Sequence, residues 1–152
     1  MLKEGHFGLS LILFSPFLIL FKISGVDITN ILVTDFLMAG LSSIPDLDIT
    51  FEIRHRGITH TILFGIIVGI LFSILFGYAY GSLLGWAMGF VAGFGGTASH
   101  LLGDAMTYME FKPLYPFSDR QVAFGIFRAS DRTVNRAMLT IGAITIIIPF
   151  LF

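Results

Sequence analysis

The sequence predicts an all-α, polytopic membrane protein, a transmembrane helical bundle of about five spanning segments. Three observations predict it: 55% of the residues are hydrophobic, only 12% are charged, and apolar windows of spanning length recur along the chain. A helix crosses the hydrocarbon core with roughly 20 apolar residues, and lipid offers no hydrogen-bond partner to an open strand or loop. Residues 1–152 amount to a single domain's length of chain. A formal net charge of -1 gives no bulk attraction to nucleic acid, so no nucleic-acid partner is expected. Cysteine is absent, which removes disulfides, thiolate zinc sites and thiol nucleophiles.

The first segment covers residues 7–21. It is short and holds Pro16, and with Lys3 before it the stretch has the outline of a secretory signal. No small-x-small cleavage site follows and Glu4 dilutes the basic start, so a retained helix is expected. The second segment covers 28–44 and contains Asp35. An ionisable group there is costly; a neutral carboxyl hydrogen-bonded within the bundle is expected, with a proton or cation path as the sharper alternative. Asp35 lies roughly 16 Å along a helix axis from Asp46, too far to share an ion with it.

The third and fourth segments, 58–79 and 82–102, are joined by a tight turn at 77–81. In the fourth, Gly85, Gly89, Gly93 and Gly96 form a stripe that lets helix backbones approach closely. A long connection, 103–133, mixes Tyr108, Phe111, Tyr115, Phe117, Phe124 and Phe127 with Lys112, Arg120 and Arg128. Such a mixture suits the headgroup layer, as an interfacial anchor or as a rim admitting lipid. The fifth segment covers 134–152, with Ser130 or Asp131 as its cap.

Basic residues are retained on the cytoplasmic side. With the N-terminus inside, the inner connections hold Lys3, Arg54, Arg56, Lys112, Arg120, Arg128, Arg132 and Arg136, and the outer ones hold Lys22 alone. The expectation is a multi-pass protein of the inner (plasma) membrane with a cytoplasmic N-terminus.

That topology gathers the polar residues at one face. Gly5-His6 opens the first helix, Pro45-Asp46-Leu47-Asp48 follows the second, His55 to His60 (HRGITH) leads into the third, and His100-Leu101-Leu102-Gly103-Asp104 closes the fourth. All four histidines of the chain lie in these stretches. His100 and Asp104 share a helix face, and Asp46 and Asp48, two apart in an extended turn, form a carboxylate claw. Thr59 is a candidate helix cap. His6, Asp46, Asp48, His55, His60, His100 and Asp104 are therefore candidate metal ligands.

Imidazole and carboxylate without sulfur suit zinc, with manganese or iron as alternatives, and seven ligands exceed what one tetrahedral zinc uses, so two ions with a bridging carboxylate are expected, one ion with supporting partners being the alternative. A bound ion makes hydroxide available at neutral pH. Arg56, between two histidines, either steadies an anionic group of the substrate or is a snorkelling, topology-setting arginine. No serine dyad is supported, because Ser43, Ser99 and Ser118 lack an elbow sequence and a free histidine.

SIPDLD, HRGITH and HLLGD, with His6 before them and PLYPFSDR after, resemble the membrane-bound metal-dependent hydrolases, the family of a LexA-regulated inner-membrane protein (YdjM-like). The resemblance runs from His6 to about Phe124. It implies a polytopic helical fold, a metal-dependent hydrolase activity, and the same seven ligands. A fainter likeness, in the order of ligands ending in His-x-x-Gly-Asp, extends to the zinc phospholipase C and single-strand nuclease group. That group uses further downstream histidines, and none follows His100 here.

The expected function is hydrolysis of an ester, foremost a phosphoester of a membrane lipid or lipid-linked substrate, by metal-activated water at the cytoplasmic interface. Asp48, Arg56 and His60 are the candidate catalytic residues, one Asp of the 46/48 pair being a candidate proton acceptor rather than a ligand. The competing readings are a non-enzymatic metal-binding protein or transporter, which needs ligands near the midplane, and a scaffold whose metal ties helices together.

Overall fold

The computed structural model describes residues 1–51 and 55–151. Among them the regular secondary structure is helical, apart from one antiparallel bridge between Phe111 and Val122 in the connection that follows Ala105. The order is α1 (Lys3–Ile23), α2 (Ile28–Leu41), α3 (Leu47–Thr50), a 3-10 turn (Ile58–His60), α4 (Ile62–Tyr80), α5 (Leu83–Ala105), α6 (Arg132–Thr145) and α7 (Ile148–Leu151). Arg54, counted above among the inner basic residues, and the end of the fifth segment at 152 lie outside the described residues.

Local chemistry starts and stops these helices. Asp27 accepts from the Thr29 amide, Ser82 from that of Gly85, and Asp131 from those of Thr133 and Val134. Each satisfies donors that the first helical turn leaves open. Asp131, one of the two expected caps of the last segment, is the one used. The cap of α4 is Thr61, which accepts from the Phe64 amide at 3.1 Å, and not Thr59. Thr59 lies two residues too early, inside the 3-10 segment, and its hydroxyl is drawn to Asp48. Helix α1 runs through Pro16: the Ile12 carbonyl, which Pro16 cannot serve, receives the Ser15 hydroxyl at 2.7 Å. Gly81, at φ +59°, caps α4 in the left-handed region and opens the tight turn into α5.

Helices α1 and α4 are long and apolar enough to cross a membrane. Helix α2 is apolar but spans 14 residues, and α6, also 14 residues, carries Arg132, Asn135 and Arg136 in its first half. Helix α5 has 23 residues, diluted by its glycines and its polar end.

Helix α5 is the centre of the bundle and packs on α4, α2 and α1, while α6 packs on α1. Phe14, Leu18, Ile31, Met38 and Ala92 form the core between α1, α2 and α5. The glycine stripe seats two partners. A Cβ on Gly89 would stand 2.1 Å from the Phe72 carbonyl oxygen of α4, and one on Gly96 2.6 Å from that of Met38 in α2. Asp35 is fully buried on α2, but neither carboxylate oxygen has a hydrogen-bond partner among the described residues. The expected hydrogen bond is missing there, and the hydroxyl of its buried neighbour Thr34 donates to its own helix, to the Asn30 carbonyl.

Residues 106–131 cross the end of the bundle. The Phe124 amide donates to the Ala105 carbonyl, Ile126 to Met106, and Ile62 at the start of α4 to Pro113. These bonds hold the connection as a cap over the ends of α4 and α5.

Two substitutions on neighbouring helices separate close packing from helix propensity. Gly89→Ala forces a methyl against the α4 backbone and is expected to destabilise by about 1–3 kcal/mol. Gly40→Ala in α2 meets open space and is expected to stabilise by up to about 1 kcal/mol through propensity alone. Thermal unfolding in detergent checks both, and equal effects would contradict the packing account.

Candidate metal centre

The centre lies under the cap, where α1 begins and α5 ends. Its deepest part is built on two imidazoles. His100, in the last turns of α5, sets Nδ1 2.7 Å from the Ser42 carbonyl oxygen, which can only accept, so Nδ1 carries the proton. His60, closing the 3-10 turn, sets Nδ1 3.3 Å from Asp48 Oδ2 and 3.0 Å from Thr59 Oγ1. Thr59 donates its own hydroxyl to Asp48, so the His60 proton also belongs on Nδ1. Both Nε2 atoms are left with bare lone pairs, and they face each other at 3.2 Å with both rings fully buried.

Two carboxylate oxygens complete the arrangement. Asp46 Oδ1 lies 3.6 Å from His60 Nε2 and 3.5 Å from His100 Nε2. Asp104 Oδ2 lies 3.5 Å and 3.8 Å from the same atoms. An ion bound tetrahedrally at about 2.0–2.1 Å keeps neighbouring ligand atoms about 3.3–3.4 Å apart. These five separations, 3.2–3.8 Å, lie near that size, and imidazole nitrogen with carboxylate oxygen is a donor set that zinc, manganese or iron accepts.

The remaining candidates surround this cage. His6 stacks on His100 at 3.8 Å between ring centroids, with Nε2 3.4 Å from Asp104 Oδ1. Neither His6 nitrogen makes a hydrogen bond among the described residues. His55 Nδ1 lies 3.1 Å from Asp48 Oδ1, and its side chain is 38% exposed at the mouth. Three sets are close enough to share an ion: His6, His100 and Asp104; Asp46, His60 and His100; and Asp48, His55 and His60. All seven sequence candidates thus meet in one cluster.

Asp46 and Asp48 do not form the expected claw. The backbone turns helically here, with Leu47–Thr50 as α3 and Asp46 at its cap in the α region. Two residues along a helix rotate the side chain by about 200°. The carboxylates therefore approach His60 from opposite edges of its ring, Asp46 at Nε2 and Asp48 at Nδ1.

Arg56 borders the centre through Asp104 and Asp48. Its backbone stands at φ +58°, a conformation that costs a non-glycine residue about 1–3 kcal/mol. The Arg56 amide donates to Asp48 Oδ2 at 3.2 Å, and the guanidinium donates to Thr107 Oγ1, to the Met109 carbonyl, and to Asp104 Oδ1 at 3.0 Å. The Met1 ammonium lies 2.8 Å from the same Asp104 oxygen.

Several contributors carried no sequence signal. Ser42 acts through its carbonyl and Thr107 through a hydroxyl that any small polar residue resembles. Gly103, inside HLLGD, makes room for His6: a Cβ there would lie 3.0 Å from His6 Nδ1. Asn135 of α6 accepts from the Leu2 amide and donates to the carbonyls of Ala129 and Asp131. It ties the start of α1, and with it His6, to the end of the cap.

An all-helical apolar bundle with a histidine–carboxylate cage at one end is the outline of a membrane protein able to bind a metal ion. The family model described as YdjM inner membrane protein matches residues 1–151, and the chain belongs to that family. No curated protein and no solved structure matches it significantly. The family and the two long apolar helices agree on an inner membrane.

Asp48 touches His60 only through Nδ1, so its neutral isostere should leave the ligand in place but weaken it. Asp48→Asn is expected to lower metal affinity about 10–100-fold, measured by competition with a chromophoric chelator; unchanged affinity would show that Asp48 does not orient the ligand.

Proposed function

We propose that the chain is a multi-pass membrane hydrolase whose centre lies at the cytoplasmic interface and cleaves an ester, a phosphoester of a lipid or lipid-linked molecule. The observation that carries the reading is the apposed pair of bare Nε2 atoms at 3.2 Å, flanked by Asp46 and Asp104. A cavity of about 380 Å³ opens beside them and is lined by Asp46, His55 and Asp104. A centre that only ties helices together has no use for such an opening.

In this reading Asp46, His60, His100 and Asp104 hold one divalent ion, zinc foremost, which supplies Lewis acidity and a more acidic water. Asp48 holds His60 and His55 in register. His55 lines the cavity with Nδ1 tied to Asp48, so its Nε2 is the atom placed to carry a proton to or from the reacting group. Arg56 fixes Asp104 and adds positive charge where the ester's charge develops.

The transporter reading needs ligands at mid-bilayer. Asp35 is the buried carboxylate at that depth, and it joins none of the ligand sets among the described residues. The hydrolase reading is therefore the better supported.

Five crossings, made by α1, α2, α4, α5 and the α6–α7 pair, put both ends of the reading on one topology. Because the chain has no cysteine, single replacements report cleanly. Ser24→Cys is expected to react with an impermeant maleimide from outside the cell, and Ser130→Cys only after the membrane is opened. The reverse pattern would invert the orientation.

Metal analysis of the purified protein, with a screen of phosphodiesters and phosphomonoesters, tests the chemistry. About one ion per chain is expected, with turnover abolished by chelation and in His60→Ala and Asp104→Ala that still fold. Stoichiometric metal without turnover of any ester would favour the non-enzymatic reading.

A further inference from the structure

The cap is apolar on both of its sides. The inner side is accounted for: Phe111, with Val122 bridged to it, packs on Leu101 and Ala105 of α5. The outer side is not. Tyr108, Met109, Leu114, Tyr115, Phe117 and Phe124 are exposed there, Phe117 at 84% and Phe124 at 63%. An exposed apolar patch of this kind marks a surface that binds something apolar.

The register of the α4–α5 hairpin gives the depth of the cap. A Cβ on Gly89 would meet the Phe72 carbonyl oxygen, one on Gly93 that of Val68, and one on Gly65 the Thr97 side chain. Level residues therefore step four by four in opposite directions along the two helices, and one more turn brings Leu101 level with Thr61, the cap of α4. The 3.2 Å approach of His60 to His100 agrees with that register. The cage is thus level with the first turn of α4. Residues 106–131 lie beyond it, held at that level by the bond from the Ile62 amide to the Pro113 carbonyl.

Helix α4 sets the scale. Its 19 residues rise roughly 28 Å, against about 30 Å of hydrocarbon in a bilayer. Ile67, Leu71 and Leu75 along it are exposed, and α4 packs chiefly on α5, so one side of it is left to lipid. Every tyrosine and the one tryptophan of the chain lie at the two ends of this rod: Tyr78, Tyr80 and Trp86 where α4 turns into α5, Tyr108 and Tyr115 in the cap. Tyrosine and tryptophan gather at both membrane–water interfaces. Leu114, Tyr115 and Phe117 follow Pro113, the partner of the first residue of α4, so the lipid-facing side of α4 continues into the cap there. Charge adds nothing to this attraction: within 106–131, Lys112, Arg120 and Arg128 are matched three against three by Glu110, Asp119 and Asp131.

We propose that the outer side of the cap is a bilayer-binding surface: Tyr108, Leu114, Tyr115, Phe117 and Phe124 lie in the headgroup layer of the leaflet at which α4 begins, held there by apolar burial and not by anionic lipid. This rests on α4 crossing the bilayer, a part of the proposed topology. The cage then lies at the boundary between hydrocarbon and headgroups. In the hydrolase reading, a lipid substrate reaches it without leaving the bilayer.

Because the chain has no cysteine, single replacements can each carry a nitroxide label. Phe117→Cys and Phe124→Cys alter exposed side chains of the cap, and Leu71→Cys, exposed midway along α4, is the reference. In the full chain reconstituted into phosphatidylcholine vesicles, accessibility to oxygen and to a water-soluble nickel chelate reads the depth of each label. The Leu71 label is expected near the bilayer centre, and both cap labels about 5–10 Å into the headgroup and upper acyl layer. Anionic lipid or high salt is expected to leave these depths unchanged. Cap labels as open to nickel as a label in water, with Leu71 deep, would leave the patch to a second copy or another protein, and the proposal falls while the span stands. Seating that needs anionic lipid, or that salt removes, overturns it as well. If Leu71 is also open to nickel, α4 does not cross, and the topology falls with the proposal.

Discussion

The structure turns on two imidazole nitrogens that cannot bond to each other. The Ser42 carbonyl fixes the proton of His100 on Nδ1, and Asp48 fixes that of His60 on Nδ1, so both lone pairs point into the same 3.2 Å gap. Facing lone pairs repel, and Asp46 and Asp104 add negative charge around them. In a buried site with a low effective dielectric that repulsion is expensive, and a cation in the gap converts every one of these contacts to attraction. The protein partners have thus already chosen the tautomers that a bound cation would need.

Holding such a cluster requires helices that cannot slide. His100 sits on α5, which is locked against α4 by glycines too close to the Phe72 and Val68 carbonyls to tolerate a side chain, and against α2 at Gly96. The carbonyl that orients His100 comes from Ser42, which caps α2 just beyond that contact. The same close approach that packs the bundle therefore sets the tautomer of a ligand. On the other flank, Gly8 meets the α6 backbone and Asn135 grips the start of α1, which fixes His6 over His100. Packing in lipid gains little from the hydrophobic effect between helices, so close backbone contact of this kind is the available means of rigidity.

The convergence of candidate ligands was legible because the chain is so apolar: the four histidines, with Asp46, Asp48 and Asp104, all fall near helix ends on the same side. His6, Asp46, Asp48, His55, His60, His100 and Asp104 do meet. What each one does was not legible. Spacing two apart suggested that Asp46 and Asp48 act together, but the helical turn of α3 sends them to opposite edges of one ring. Thr59 had the composition of a cap, yet Asp48 competes for its hydroxyl and Thr61 caps α4. Ser42, Gly103 and Asn135 act through a carbonyl, an absent side chain and a long-range amide, none of which leaves a pattern in sequence. The five crossings rested on apolar windows, and windows do not report that α2 and α6 each form only 14 helical residues.

The position of Arg56 bears on how many ions the cluster holds. Asp104 presents Oδ2 to the cage and Oδ1 to the other side, the disposition of a bridging carboxylate. A second ion between Asp104 Oδ1 and His6 would complete a dinuclear centre, but that oxygen already meets the Arg56 guanidinium at 3.0 Å and the Met1 ammonium at 2.8 Å. The left-handed backbone at Arg56 then has a reason: the strain delivers a fixed cation to the place a second metal would occupy. The Arg56 guanidinium thus stands as a fixed positive charge beside the His60–His100 pair, held through the Asp104 carboxylate that also faces it.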